Sequence, residues 1–222
     1  MRRRTAGLDA VTVDAMGTLV ELDDPSDRLR AALAERGVGR PSDEVAAAFR
    51  AEVAYYLPRT LEGRDDASLA DLRRRCTAVF LEHARAELDA EEFVPAFVDA
   101  ILFRPLSGAR AALGRLRRAG LALACVSNWD VSLAPQLERS GLRGLFAAVV
   151  SSAEAGAAKP DPTVFAVALE RLGVPAARAL HVGDGDTDRE GAAAAGMAFE
   201  PVPLATLPER LGLGARPWSR RP

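Results

Sequence analysis

The hydrophobic positions of the chain follow two different patterns in two different regions. Over residues 21–104 the apolar residues recur three and four positions apart, as in Val45, Phe49, Val53 and Tyr56. This spacing places them on one face of an α-helix. The region has no evident strand pattern, and breaks such as Pro58 divide it. It therefore predicts about four helices that pack as a bundle.

Residues 105–205 instead alternate between short apolar runs and helical stretches. A glycine follows each predicted helix, at a position where a left-handed cap favours this residue. Alternating helices and strands are typical of a parallel sheet covered by helices. The predicted helices are 108–118, 132–140, 162–172 and 189–195, and the predicted strands are 121–126, 147–151, 179–182 and, more weakly, 197–202.

One further run, of β-branched and apolar residues, begins at Val11 and breaks at Gly17, which places Asp14 at the carboxyl end of a strand. A strand cannot be stable alone, so this run belongs to the same sheet. The sequence thus predicts an α/β fold with a core domain of residues 1–20 and 105–222. Residues 21–104 form a helical domain that is inserted into the core domain just after the carboxyl end of the first strand. Such an insertion can cover a ligand crevice and exclude water from it.

Composition limits the classes of partner. The chain has 222 residues, 49% hydrophobic and 27% charged, with a formal net charge of −2. This balance gives no general electrostatic reason to bind nucleic acid, and no apolar run approaches the length of a membrane span. Two distant cysteines and an acid-interrupted N-terminal segment favour a cytoplasmic protein without a signal peptide. Solvated tails are expected for the basic residues near both ends, Arg2, Arg3, Arg4, Arg216, Arg220 and Arg221.

Polar clusters occur where the predicted strands end or the predicted helices begin, and they contain Asp14, Ser127, Asn128, Lys159, Asp184 and Asp188. In open α/β sheets these points meet in one crevice. Carboxylates on opposite sides of a crevice need a cation between them, and hard oxygen ligands suit Mg²⁺. A lysine and a hydroxyl opposite the metal would hold an anionic group such as phosphoryl. A small phosphorylated substrate is the expected partner.

These clusters resemble the ordered motifs of the haloacid dehalogenase-like (HAD) superfamily. The motifs are Asp14-x-x-Gly-Thr, Ser127-Asn, Lys159-Pro-Asp-Pro and Gly183-Asp-x-x-x-Asp. Their order and the helical insertion after the first one resemble members with a four-helix C1 cap. The resemblance implies a Rossmann-like core with an inserted cap.

The resemblance also implies catalytic roles. Asp14 matches the nucleophile that forms an aspartyl-phosphate in phosphatases of the superfamily. Thr18 and Ser127 match hydroxyls that orient this nucleophile and bind phosphoryl oxygens. Lys159 matches the cation that offsets the charge of the nucleophile and of the transferred group.

A metal site for Mg²⁺ is implied as well. Asp14 and Asp184 match carboxylate ligands, and Asp188 matches their supporting carboxylate. The chain departs from the pattern at Met16, where most phosphatases of the superfamily have a second Asp that acts as general acid and base. That residue also offers its backbone carbonyl to the metal, which Met16 can still do. The metal site can survive, while a contribution of about 10²–10⁴-fold from general acid catalysis is lost.

Three functions stay open after this departure. The protein could be a phosphatase whose leaving group needs little protonation, or whose acid comes from the cap. It could be a 2-haloacid dehalogenase, because halide leaves without a proton, although Asp184 and Asp188 keep the metal-binding form. It could also bind a phosphorylated ligand with little or no turnover.

Three further residues are predicted to contact substrate. Asn128 follows the motif serine and can contact substrate or shape its turn. In the cap, a turn near Gly63 could direct Arg59 or Arg64 toward an anionic substrate. The neighbouring arginines Arg73, Arg74 and Arg75 are expected to lie in solvent.

Overall fold

The computed structural model describes residues 7–213, so the basic residues predicted to form solvated tails lie outside the described range. Seven strands are present among these residues: β1 Ala10–Val13, β2 Val20–Asp23, β3 Leu102–Pro105, β4 Ala122–Ser127, β5 Ala148–Ser151, β6 Ala179–Gly183 and β7 Ala198–Pro201. The described helices are α1 Ser26–Ala34, α2 Ser42–Tyr56, α3 Asp66–His83, α4 Ala90–Ala100, α5 Ala109–Arg118, α6 Leu133–Arg139, α7 Ser152–Ala155, α8 Thr163–Leu172, α9 Asp186–Ala194 and α10 Leu207–Arg210.

A parallel sheet with the strand order β5-β4-β1-β6-β7 forms the centre of the fold. The predicted α/β class is therefore confirmed. Strand β1 lies in the middle, and its last residue, Val13, is in register with Cys125 of β4 and Val182 of β6. This register brings the carboxyl ends of β1, β4 and β6 to the same edge of the sheet. Each of the three strands is followed by residues of a predicted motif.

Two apolar clusters hold helices on the two faces of this sheet. One contains Val11 and Val13 with residues of α5 and α6, and the other contains Ala10 with residues of α8 and α9. Successive residues of β1 point to opposite faces, so a strand covered on both sides is apolar along its length. This double burial explains why β1 reads as a short continuous apolar run.

The inserted region contains α1 to α4, as its helical spacing predicts. A separate apolar cluster joins the four helices, with Leu29, Phe49, Phe80 and Phe93 among its buried members. A 3₁₀ segment, Leu57–Glu62, connects α2 to α3. The aromatic rings of Phe80 and Phe93 stack in this core with their centroids 6.2 Å apart.

The expectation that residues 21–104 lack strands is wrong at both edges of that region. β2 and β3 pair as an antiparallel two-stranded sheet, with Val20 opposite Pro105 and Asp23 opposite Leu102. These strands have four residues each and are only partly buried, so they show neither a continuous apolar run nor a clear alternation. The paired strands are the connection between the sheet core and the helical region.

Helix α9 begins at Asp186, three residues before the predicted start at 189. Two acids, Asp186 and Asp188, occupy its first turn, where the partial positive charge of a helix N-terminus stabilises carboxylates. The apolar periodicity of this helix starts later than the helix itself. In the sequence, the start of this helix is therefore indicated by its acidic residues and not by the spacing of its apolar residues.

Candidate active site

The predicted catalytic residues meet at the carboxyl edge of the sheet. Lys159 Nζ donates hydrogen bonds to Asp14 Oδ1 over 2.6 Å and to Asp188 Oδ1 over 2.5 Å. Ser127 Oγ donates to the same Asp14 oxygen over 2.9 Å. All four residues are at least 95% buried, with Asp14 and Lys159 both 5% exposed. The site is thus a desolvated ionic network, in which electrostatic interactions are strong.

Lys159 stays charged because two carboxylates face it. Burial by itself lowers the pKa of Lys159, but the nearby carboxylates of Asp14 and Asp188 outweigh burial and raise it. Both donors bind the Oδ1 atom of Asp14, and Oδ2 makes no hydrogen bond with any described residue. One oxygen of Asp14 is therefore fixed, while the other is available for attack.

Asp188 is held by a second network beneath the first. His181 Nε2 lies 2.9 Å from Asp188 Oδ1, and His181 Nδ1 lies 2.8 Å from Thr12 Oγ1. Burial lowers the pKa of His181. The neutral ring then donates from Nε2 to Asp188 and accepts from Thr12 at Nδ1. Burial opposes the ionisation of Asp188, but the hydrogen bond from His181 and the charge of Lys159 hold its pKa well below its ordinary value.

Two glycines leave the space that these carboxylates occupy. A Cβ on Gly17 would lie 2.2 Å from Asp184 Oδ2, and the φ of +75° at Gly17 disfavours other residues as well. A Cβ on Gly183 would lie 2.3 Å from the carboxyl carbon of Asp188. Both glycines belong to the sequence motifs, so their role is to let the acids approach the strand ends closely.

The donor set fits a hard divalent cation. Carboxylate oxygens of Asp14, Asp184 and Asp188 all lie within 4.8 Å of one another. Partial burial and the carboxylates of Asp14 and Asp188 raise the pKa of Asp184, which is the repulsion that a cation would relieve. Both oxygens of Asp188 already accept hydrogen bonds, from Lys159, His181 and the backbone of Gly185. Asp188 would therefore support the site, and Asp14 and Asp184 would be the direct oxygen donors to a bound cation.

The remaining motif residues lie around this cluster. Thr18 Oγ1 is buried and has no hydrogen-bond partner among the described residues. An orphaned hydroxyl beside the nucleophile loop is available to an oxygen-rich ligand. Met16 is 40% exposed.

Asn128 uses its amide to shape the site. Its Oδ1 accepts from the backbone N–H of Lys159 over 2.7 Å, and its Nδ2 donates to the Lys159 carbonyl over 3.1 Å. This pair of bonds fixes the backbone that carries the lysine. Both roles predicted for Asn128, contact with substrate and shaping of its own turn, stay predictions.

The structure does not bring Arg59 and Arg64 to this site. Arg59 stacks on the ring of Tyr55, 3.9 Å from its centroid, and donates to the Tyr55 carbonyl. The exposed Arg64 does not line the neighbouring cavity either. A substrate-binding role for both arginines stays a prediction.

A cavity of about 210 Å³ lies between the helical region and the core, next to Met16 and Asn128. On its wall Tyr56 Oη donates to Asp130 Oδ2 over 2.9 Å, and nearby the Val131 N–H donates to the Gly63 carbonyl over 3.0 Å. These bonds tie the cap to the segment that follows β4.

Sequence reasoning missed Glu52 and Asp130, which both line this cavity. A signal existed for each. Glu52 interrupts the apolar face formed by Phe49, Val53 and Tyr56, and Asp130 follows the Ser127-Asn128 motif by two residues. The expectation that Arg73 lies in solvent is also wrong, because this half-buried residue lines the same cavity.

Comparison with known proteins agrees with this geometry. The family model of haloacid dehalogenase-like hydrolases matches residues 8–196. The chain belongs to this family of hydrolases. Bovine haloacid dehalogenase-like hydrolase domain-containing protein 3 is 42% identical over 109 residues, which cover 49% of this chain and 43% of the relative. The chain thus spans less than half the length of this relative.

Two further similarities point to different chemistries. Phosphoglycolate phosphatase of Rhodospirillum rubrum is 34% identical over 89% of this chain and 83% of the relative. The structure of L-2-haloacid dehalogenase from Xanthobacter autotrophicus, with chloropropionic acid covalently bound, superposes with a TM-score of 0.62 at 26% identity, over 95% of this chain and 85% of the dehalogenase. Among the described residues of this chain, no helix has the length and apolar character needed to cross a membrane.

Proposed function

We propose that this hydrolase is a Mg²⁺-dependent phosphatase that acts on a small phosphorylated metabolite. The observation that carries the proposal is the convergence of Asp14, Asp184 and Asp188 within 4.8 Å, with Lys159 bonded to two of them. In a dehalogenase whose carboxylate nucleophile binds no metal, a second carboxylate such as Asp184 close to Asp14 would have no metal to bind. The similarity to phosphoglycolate phosphatase over most of the chain supports the same choice.

In the proposed mechanism, Asp14 Oδ2 attacks the phosphorus atom in line with the leaving oxygen. The P–O bond to the leaving group breaks as an aspartyl-phosphate forms on Asp14. Lys159 and the hydroxyls of Thr18 and Ser127 balance the charge and position the phosphoryl oxygens. The leaving group departs as its oxyanion and takes a proton from solvent. Water then attacks the phosphorus atom of the intermediate and gives a proton to solvent, and the bond from phosphorus to Asp14 breaks to release phosphate and restore the carboxylate. Bound Mg²⁺, held by Asp14, Asp184 and the Met16 carbonyl, would supply Lewis-acid stabilisation of the phosphoryl charge.

We further propose that residues 21–104 act as the cap domain of this enzyme and residues 1–20 and 105–222 as its catalytic core. This proposal is supported by two hydrogen bonds that join the cap to the core, from Tyr56 to Asp130 and from Val131 to Gly63. A cytoplasmic location and a small-molecule partner, without nucleic acid or membrane, complete the proposal. The two free, buried cysteines, Cys76 and Cys125, are compatible with a reducing compartment.

The experiment that tests this function measures phosphate release from a panel of phosphate monoesters, with Mg²⁺ and with chelator. We expect release that depends on Mg²⁺. A parallel assay measures halide release from a 2-haloacid with chelator present, which would identify a dehalogenase instead. Thermal stabilisation by phosphate and Mg²⁺ without any turnover would identify a binding protein.

Met16→Asp is expected to raise kcat on alkyl phosphates, by about 10²-fold, because it restores a proton donor two residues after the nucleophile. The gain should be small on aryl phosphates, since their leaving groups need little protonation. Met16→Asn, which offers no comparable acid, is the matched control. Equal kcat for the two variants on an alkyl phosphate would show that a missing donor at residue 16 does not limit the rate.

His181→Phe is expected to lower kcat about 10–100-fold, because it removes the donor that orients Asp188. The phenyl ring can keep the contacts that His181 makes with Phe165 and Phe199, so the fold should be retained. Thr12→Val, which breaks only the outer hydrogen bond, should have a smaller effect. Steady-state kinetics measures the effect on activity, and Tm shows whether the variant is still folded. An unchanged kcat in His181→Phe would contradict the proposed role of His181 in positioning Asp188.

A further inference from the structure

The cavity beneath the cap borders the proposed phosphoryl site through two residues that neighbour it in the chain. Met16, two residues after Asp14, and Asn128, adjacent to Ser127, both line it. A phosphate ester bound at Asp14 would therefore extend its leaving group into this cavity. The walls of the cavity are then the surfaces that select the leaving group.

These walls are mostly apolar and aromatic. Side chains from the cap and from the core contribute to them, including Phe49, Val53, Leu72, Phe97, Phe103 and Trp129. A leaving group with several hydroxyls would lose its hydrogen bonds to water here and find few replacements. An apolar ring or chain would instead gain from burial against these surfaces.

Two acids lie among these walls. Asp130 is engaged by the Tyr56 hydroxyl and by the backbone N–H of Ser132. Glu52 is 5% exposed and stands on the cap side of the cavity. Burial raises the pKa of Glu52 to about 7, against the opposing effect of a hydrogen bond with Cys76. A leaving group with its own carboxylate would meet these two acids. The half-buried Arg73 is the one basic residue among the described residues of the lining.

We propose that this cavity binds the leaving group of the substrate, and that the leaving group is compact, predominantly apolar and without negative charge. Glu52, in its ionised form, is the residue that disfavours anionic leaving groups. The inference rests on the proposed phosphatase function and specifies its substrate class. It separates this chain from an enzyme built for phosphoglycolate, whose leaving group carries a carboxylate.

The test compares kcat/KM for benzyl phosphate, glycerol 3-phosphate and phosphoglycolate with Mg²⁺ present. All three are primary alkyl esters, so the bond that breaks is similar and the leaving group differs in polarity and charge. We expect benzyl phosphate to be preferred about tenfold or more, as an apolar pocket selects by fit and burial. A preference for glycerol 3-phosphate or phosphoglycolate overturns the inference but leaves the phosphatase standing.

One matched pair of variants and one single variant assign the preference to the cavity. Val53→Asn, on its wall, should lower kcat/KM for benzyl phosphate about tenfold. Val79→Asn makes the same change on cap helix α3 at a half-buried position outside the lining, and should leave the preference unchanged. Glu52→Gln should raise kcat/KM for phosphoglycolate several-fold relative to benzyl phosphate.

Arg73→Gln gives the decisive counter-test. If phosphoglycolate is the preferred ester and Arg73→Gln abolishes that preference, the cavity selects an anion and the inference is wrong. Equal effects of Val53→Asn and Val79→Asn would also overturn it, because the change would then reflect the stability of the cap. If neither these three esters nor an aryl phosphate is hydrolysed, the proposed function is wrong and the substrate class with it. If only the aryl phosphate is hydrolysed, the three esters are compared in Met16→Asp, and the lack of a preference for benzyl phosphate there overturns the inference.

Discussion

Asp14→Asn should lower kcat for phosphate monoesters by about 10³-fold or more, since the amide cannot form the aspartyl-phosphate. The substitution is nearly isosteric, so Ser127 Oγ can still donate to the side-chain oxygen. Lys159 keeps its second carboxylate, Asp188, at 2.5 Å. The loss of activity should therefore exceed any loss of stability.

The measurement is phosphate release from an aryl phosphate with Mg²⁺, compared between wild type and Asp14→Asn. Tm of both proteins serves as the folding control. Aryl phosphate is the suitable substrate because its leaving group departs without a proton donor, which position 16 does not supply. Equal rates for the two proteins would remove Asp14 as nucleophile and with it the enzyme mechanism proposed here.

Lys159→Met should destabilise the fold by about 3–5 kcal/mol at neutral pH, because it leaves two buried carboxylates without their cation. Asp14 and Asp188 are 5% and 2% exposed, so water screens their repulsion poorly. Activity should fall as well, because the charge that balances the nucleophile and the phosphoryl group is lost.

The sign of the pH dependence follows from the pKa shifts. Asp188 has a lowered pKa in the folded protein, so its stabilising contribution is present above the ordinary pKa of about 4 and is lost as pH falls. Lys159 has a raised pKa, so its contribution is present below about pH 10 and is lost as pH rises further. The difference in stability between wild type and Lys159→Met should thus be large at pH 7 and smaller near pH 3.

Urea denaturation at pH 7 and near pH 3 measures this difference. The double variant Lys159→Met with Asp14→Asn removes one of the uncompensated carboxylates and should recover part of the lost free energy of unfolding. A destabilisation that is the same at both pH values, without recovery in the double variant, would point to lost packing and not to electrostatics.

Much of the site could be predicted because it depends on local sequence. Asp14, Ser127 and Asp184 each follow a strand that is recognisable from its apolar residues, and parallel strands end at one edge of their sheet. Gly183 is also local, because it leaves room for Asp188 five residues later, whereas Gly17 leaves room for Asp184 of a neighbouring strand end. Chain order and elementary topology are enough to bring such residues together.

The cap could be predicted only as a set of helices. Its periodicity identified α1 to α4, but the β2–β3 connection was missed because its short, partly exposed strands have no distinctive pattern. Arg59 shows the same limit, since its partner is the ring of Tyr55 and not the site. A surface side chain can form alternative contacts of similar free energy. The contact that forms depends on how the chain segments pack together.

The sequence by itself determined the α/β class, the helical insertion and the motif residues that meet at the sheet edge. The spacing of hydrophobic residues and the acids at strand ends are local properties of the sequence. They do not depend on how the helices of the cap are arranged. Only the tertiary structure decided that Glu52, Tyr56 and Asp130 face one cavity, and that His181 supports Asp188. Those contacts join residues from different elements, and their distances depend on how the helices pack.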